Sequence, residues 1–80
     1  MTRAMMRATL SGIVHDEVVT VEISADLWDR FRDLRLAMRM SESEMVRWLT
    51  GDGRIKATER WVEAFVSTLE KGKGRPRILA

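Results

Sequence analysis

The 80-residue chain has no cysteine and a single histidine, His15. Without cysteine there are no disulfide bonds and no thiolate zinc site, and one histidine cannot form a histidine-based metal cluster. The chain also has no long apolar run, and residues 1–16 lack an apolar segment of signal-peptide length. We therefore expect an intracellular, cytoplasmic protein that has no metal, no cofactor and no membrane partner.

The length and a hydrophobic content of 45% predict one small folded domain. Its net charge of +2 is distributed unevenly along the chain. Residues 71–80 contain four basic residues and no acidic ones, whereas residues 1–70 contain ten basic and twelve acidic residues. The excess positive charge therefore lies in a C-terminal tail, a pattern typical of proteins that bind polyanions.

Residues 18–23 alternate between apolar and more polar positions, as the residues of a half-buried strand do. A weaker apolar run precedes them, and residues 15–17 between the two runs suit a tight turn. A β-hairpin over residues 7–23 is therefore predicted. Its buried face would carry Val19, Val21 and Ile23.

Three helices are predicted after the hairpin, at about residues 24–39, 41–50 and 57–70, because apolar residues recur there at three- and four-residue spacing. The second helix has the sharpest start, since Ser41 and Glu44 can satisfy each other's backbone N–H groups in a capping box. The expected fold is mainly α, with a small N-terminal β element, three helices and a disordered basic tail. Residues 1–70 would form the folded domain.

The second predicted helix follows the first after a very short connection. The second helix contains Met45, Val46 and Trp48, and Gly51 follows it. This arrangement resembles the helix-turn-helix of phage repressor and Cro-like DNA-binding proteins over roughly residues 34–66. The resemblance implies that the second helix enters the major groove of DNA while the third helix supports it.

The helix-turn-helix resemblance assigns DNA contacts to the second helix and to the loop after it. Arg47 suits guanine or phosphate oxygens, and Ser43 can donate or accept at a base edge. A shifted register would instead make residues 58–65 the recognition helix, with Arg60 exposed. The predicted contact residues are Ser41, Glu42, Ser43, Arg47, Arg54, Lys56 and Arg60, and Val46 is also expected to face outward.

The tail contains Gly74-Arg75-Pro76 among further basic residues. This segment resembles an AT-hook, whose Gly-Arg-Pro core lies in the narrow minor groove of A·T-rich DNA. Pro76 fixes its φ angle, Gly74 permits close approach, and arginines enter the negative potential of that groove. A basic tail that only attracts phosphate is the alternative. The predicted contact residues are Lys73, Gly74, Arg75, Pro76 and Arg77.

Together these resemblances imply a sequence-specific regulator of transcription that binds double-stranded DNA, a repressor of phage or prokaryotic type associated with the nucleoid. A homodimer is expected, because one short recognition helix contacts too few base pairs for strong discrimination. Catalysis is not expected, since no nucleophile has an evident base and no glycine-rich phosphate loop follows a strand.

Two alternatives remain open at the level of sequence. Residues 19–47 also resemble ribbon-helix-helix proteins, in which the strand pairs with its copy in a dimer. That resemblance implies that Val18, Thr20 and Glu22 face the major groove. The acidic segment 16–33 instead suits an antitoxin-like module that binds a basic protein partner.

Overall fold

An antiparallel hairpin forms the N-terminal part of the molecule. The computed structural model describes residues 6–72, and in it β1 (Arg7–Val14) and β2 (Glu17–Ser24) form a two-stranded sheet. His15 and Asp16 make the turn with φ values of 51° and 64°, the left-handed conformation that a two-residue hairpin turn requires. The predicted hairpin is confirmed.

The two faces of the sheet have different environments. Leu10 of β1 lies opposite Val21 of β2, and both are buried beneath the helices. The opposite face is open to solvent, and at its tip Ile13 and Val18 lie opposite each other with exposed fractions of 57% and 71%. This alternation follows from the two-residue period of a strand.

The three predicted helices are also confirmed. They are α1 (Ala25–Ala37), α2 (Glu42–Leu49) and α3 (Glu59–Lys71). Each begins after a hydroxyl residue whose side chain accepts a hydrogen bond from the backbone of the first turn. These N-cap residues are Ser24, Ser41 and Thr58.

A sharp turn separates α1 from α2. The backbone N–H of Met40 donates to the carbonyl of Arg35 at 3.0 Å, and that of Arg39 donates to Leu36 at 3.2 Å. Arg39 has a φ of 57°. This pair of bonds around a left-handed residue is a Schellman motif, which ends α1 and redirects the chain within a few residues.

The core lies between the sheet and the helices. Trp48 of α2 packs edge-on against Phe65 of α3, with ring centroids 5.1 Å apart. The indole N–H of Trp61 donates to the carbonyl of Leu49 at 2.6 Å and so joins the start of α3 to the end of α2. The largest fully buried side chains include Phe31, Phe65, Leu10, Ile23, Met45 and Leu49.

Ion pairs join the third helix to α1. Arg30 of α1 bonds to Glu70 at 2.6 Å and to Glu63 at 3.0 Å. The hydrogen bond to Arg30 lowers the pKa of Glu70. The same bonds raise the pKa of Arg30 above its ordinary value, so its guanidinium stays charged and α1 and α3 are held side by side.

Substitution of Gly12 by alanine should destabilise the protein. A Cβ at this position would lie 2.7 Å from Cβ of Val46 and 3.0 Å from Cα of Ser43, so α2 would have to move away from β1. We expect a loss of about 1–3 kcal/mol in the free energy of unfolding, measured by urea denaturation. Ser11→Ala is the matched control, and an equal midpoint for the two variants would contradict this packing.

Candidate nucleic-acid interface

The second helix lies against the outer edge of β1. A carboxylate oxygen of Glu42 accepts a hydrogen bond from the backbone N–H of Ser11 at 2.8 Å. The hydroxyl of Ser43 accepts one from the backbone N–H of Ile13 at 3.0 Å. These two residues, predicted to contact DNA, thus occupy backbone donors on a strand edge that would otherwise be open.

The expectation that Val46 faces outward is wrong. Its side chain is 0% exposed and packs directly over Gly12. The physical reason is that β1 has no side chain at this point, so helix and strand approach closely. The side of α2 that carries Glu42, Ser43 and Val46 is therefore a contact within the protein.

The exposed side of α2 carries Ser41, Glu44 and Arg47. Ser41 and Glu44 bond to each other in the capping box, and the backbone hydrogen bond from Ser41 lowers the pKa of Glu44. Nε of Arg47 donates to Oδ1 of Asp52 at 3.2 Å. Arg47 would have to leave Asp52 in order to contact a base or a phosphate.

The loop after α2 begins at the tip of the hairpin. The carboxylate of Asp52 lies 3.4 Å from Nε2 of His15. Gly53 has a φ of +90°, and a Cβ there would lie 3.2 Å from Cγ1 of Val14. The loop is thus held to the hairpin turn by a polar contact and by close packing.

Three exposed basic residues follow Gly53 in the chain: Arg54, Lys56 and Arg60. We call these three residues the basic surface. Arg54 and Lys56 lie in the loop, and Arg60 lies in the first turn of α3. Within residues 6–72, none of the three forms an ion pair. Their charges are thus available to an external anion.

Four other arginines of the described chain are paired with carboxylates. Arg30 is paired as given above, and Arg47 is paired with Asp52. Arg32 lies 3.5 Å from Asp29 and 3.4 Å from Asp33. The fourth is Arg7, which contacts Glu22 and Glu59. The residues of the basic surface thus differ from most of the other arginines in residues 6–72, which each have a carboxylate partner.

The exposed side of α3 continues the basic surface. It carries a row of residues without an acid among them: Arg60, Ala64, Thr68 and Lys71. The acidic residues Glu63 and Glu70 lie to one side of this row, where they pair with Arg30. Arg60 was expected to contact DNA only in a shifted register, and the row as a whole was not predicted, although its three- and four-residue spacing is visible in the sequence.

A groove that sequence reasoning missed separates the loop from β2. Its volume is about 380 Å³, and it is lined by Thr50, residues 19–21 and residues 53–57. No sequence pattern indicates this groove, because it depends on the path of the loop across the sheet. Arg54 and Lys56 of the basic surface lie on its loop side.

The predicted tail contacts Lys73, Gly74, Arg75, Pro76 and Arg77 lie outside the described residues. Within residues 6–72, no group of three metal-ligating side chains is close enough to hold an ion. No helix in that range has the length and apolar character needed to cross a membrane.

In comparisons with known proteins, no family model, no curated protein and no solved structure matches this chain. Function is therefore inferred from the residues and their geometry.

Protonation of Glu59 should weaken the attachment of α3 to the hairpin. Its carboxylate accepts from the Arg7 guanidinium at 3.0 and 3.2 Å and from the backbone N–H of Ser24 at 2.9 Å. The Arg7 bond, followed by the Ser24 bond, lowers the pKa of Glu59 below 4.5. The stabilising contribution of the Glu59 carboxylate is therefore complete above pH 4.5. It is lost as the pH falls through the lower pKa that Glu59 has in the folded protein.

We expect the free energy of unfolding to fall more steeply below pH 4.5 in the parent protein than in Glu59→Gln, as measured by urea denaturation from pH 6 to pH 3. Glu17→Gln, at the exposed end of the hairpin, is the control and should retain the parent profile. Parallel profiles for the parent protein and Glu59→Gln would contradict the assigned role.

Proposed function

We propose that this protein binds double-stranded DNA and regulates transcription, with the basic surface and the exposed side of α3 facing the duplex. The observation that carries the proposal is the absence of ion pairs at Arg54, Lys56 and Arg60 within residues 6–72, where most other arginines are paired. Unpaired cations attract the phosphate backbone and release its counterions.

The exposed row of α3 supports the same orientation. Arg60 and Lys71 supply charge towards its two ends, Thr68 is exposed, and Ala64 allows close approach of the helix to a groove. No acidic residue in the row would repel phosphate. This arrangement corresponds to the shifted register, in which α3 rather than α2 is the recognition helix.

The tail adds to the proposal because it follows α3 directly in the chain. Its Gly-Arg-Pro core would lie in the minor groove next to the surface that α3 contacts. Major-groove contacts from a helix combined with minor-groove contacts from a basic arm are a known mode of DNA binding. In this mode the tail provides affinity for A·T-rich sequence.

In this proposal α2 has a mainly structural role. Its Glu42, Ser43 and Val46 side contacts β1, which leaves Arg47 as its one side chain suited to a DNA contact. A repressor of phage or prokaryotic type, acting as a homodimer on an operator that overlaps the polymerase site, remains the proposed biological role.

Loss of charge from the basic surface should weaken DNA binding uniformly across sequences. Arg54→Ala, Lys56→Ala and Arg60→Ala should each weaken binding to a 20-base-pair duplex of mixed sequence by about three- to tenfold at low salt. Each should also reduce the slope of log K against log salt by about 1. Fluorescence anisotropy from 50 to 200 mM salt measures both quantities.

Arg39→Ala is the matched control, because it removes one unpaired exposed charge in the turn between α1 and α2 and should leave the slope unchanged. Equal losses in the control and the three variants would show nonspecific attraction to the whole molecule. No binding by the full-length protein at low salt would exclude the proposal and favour the protein-binding alternative.

Arg75→Ala should reduce affinity for an A·T-rich duplex more than affinity for a G·C-rich duplex, because the narrow A·T minor groove has the stronger negative potential. Competition binding of the full-length protein to the two duplexes measures this difference. Equal losses on both duplexes would contradict an AT-hook and indicate that the tail only attracts phosphate.

A further inference from the structure

The second strand has an open edge along its middle. The backbone N–H groups of Ser11 and Ile13 point away from β2, since they bond to α2. Their partners across the sheet, Thr20 and Val18, therefore direct their backbone groups away from β1. Within residues 6–72 these outward groups have no hydrogen-bond partner.

Among residues 6–72, side chains bond to the outward edge of β2 only at its base. There the N–H of Ser24 donates to Glu59 at 2.9 Å, and the carbonyl of Glu22 accepts from Arg7 at 3.2 Å. On β1, by contrast, the side chains of α2 cover the corresponding edge. One edge of the sheet is thus protected, while the central part of the other can accept a further strand.

The loop after α2 runs beside this open edge. It starts at the hairpin tip, where Gly53 packs close to Val14, and reaches the hairpin base, where Glu59 bonds to Ser24. Residues 53 and 54 belong to the turn after α2, and the backbone N–H of Ile55 donates back to the carbonyl of Thr50 at 2.8 Å. Residues 56–58 then connect this turn to α3 without regular secondary structure.

No hydrogen bond joins residues 53–57 to β2 within the described chain. The groove of about 380 Å³ lies between them instead. Thr20 lines this groove, and Val18 lies two residues farther along the same edge of β2. Strands pair at a spacing of about 4.8 Å, so an extended segment that enters the groove would meet the outward backbone groups of Thr20 first and those of Val18 beyond them.

The charge around the groove favours an acidic occupant. Its lining, as far as residues 6–72 form it, includes Arg54 and Lys56 and contains no acidic residue. Neither of the two basic side chains has an ion-pair partner within residues 6–72. The groove therefore combines an unpaired strand edge with two unpaired positive charges.

We propose that this groove binds an extended acidic segment of a partner protein, which adds to β2 as a third strand. The backbone of the segment pairs with Val18 and Thr20, and its carboxylates face Arg54 and Lys56. This is β-strand addition, in which main-chain hydrogen bonds give affinity and side-chain contacts give specificity.

The proposal goes beyond DNA binding and can be tested separately. Arg54 and Lys56 belong to both surfaces, so a bound segment and a duplex would exclude each other at these residues. The backbone pairing at Thr20 has no part in the proposed DNA contact. A change at Thr20 therefore distinguishes the two functions.

The probe is an end-blocked octapeptide of alternating glutamate and threonine, with binding to the full-length protein measured by calorimetry at low salt. Thr20→Pro removes the outward N–H of an edge position, which a strand tolerates because no bond to β1 is lost. It should weaken peptide binding by about three- to tenfold and leave DNA binding unchanged. Thr20→Val keeps the N–H group and should bind the peptide as the parent protein does.

The charge contribution is tested by Arg54→Ala and Lys56→Ala, each expected to weaken peptide binding by about two- to fivefold, with Arg39→Ala as the neutral control. A peptide methylated on alternate backbone nitrogens keeps its charge but cannot pair with a strand, and it should bind at least threefold more weakly. This probe requires no change in the protein and applies even if Thr20→Pro does not fold.

Three results would overturn the proposal. One is equal binding of the methylated and unmethylated peptides, which would show simple charge attraction. Another is the absence of peptide binding at 1 mM. The last is a homodimer in sedimentation that Thr20→Pro dissociates, because a second copy of the chain would then occupy the edge.

Discussion

The contact between α2 and β1 determines how the rest of the molecule is arranged. The missing side chain at Gly12 allows Val46 to pack directly on the strand, and Glu42 and Ser43 then satisfy the strand's outward N–H groups. Steric fit and hydrogen bonding thus act at the same place. With α2 fixed at one edge of the sheet, the following loop must cross to the other edge to reach α3.

This placement separates the charged groups into two sets. The paired set, represented by Arg30 with Glu63 and Glu70, joins elements that are distant in sequence and stabilises the fold. A second set, Arg54, Lys56, Arg60 and Lys71, has no ion-pair partner within residues 6–72 and follows the loop and the exposed side of α3. Groups without a structural partner are the ones that can respond to an external ligand, so both proposals depend on this second set.

Local patterns predicted the elements well. The two-residue period identified β2, and the capping box at Ser41 predicted the start of α2 from four consecutive residues. The direction of Val46 was not predictable in this way, since helical periodicity defines an apolar stripe but not the neighbour that covers its flank. That neighbour is Gly12, more than thirty positions earlier in the chain. The groove likewise depends on contacts distant in sequence, which single-sequence patterns do not contain.

The loop between α2 and α3 is held against the hairpin at both of its ends. Within residues 6–72, no hydrogen bond joins the middle of this loop to β2. Asp52 and Gly53 hold one end at the hairpin tip, and Glu59 holds the other at the base. A segment that adds to β2 therefore has no existing hydrogen bond between this loop and the sheet to break. Its entry removes no backbone pairing that the folded protein already has.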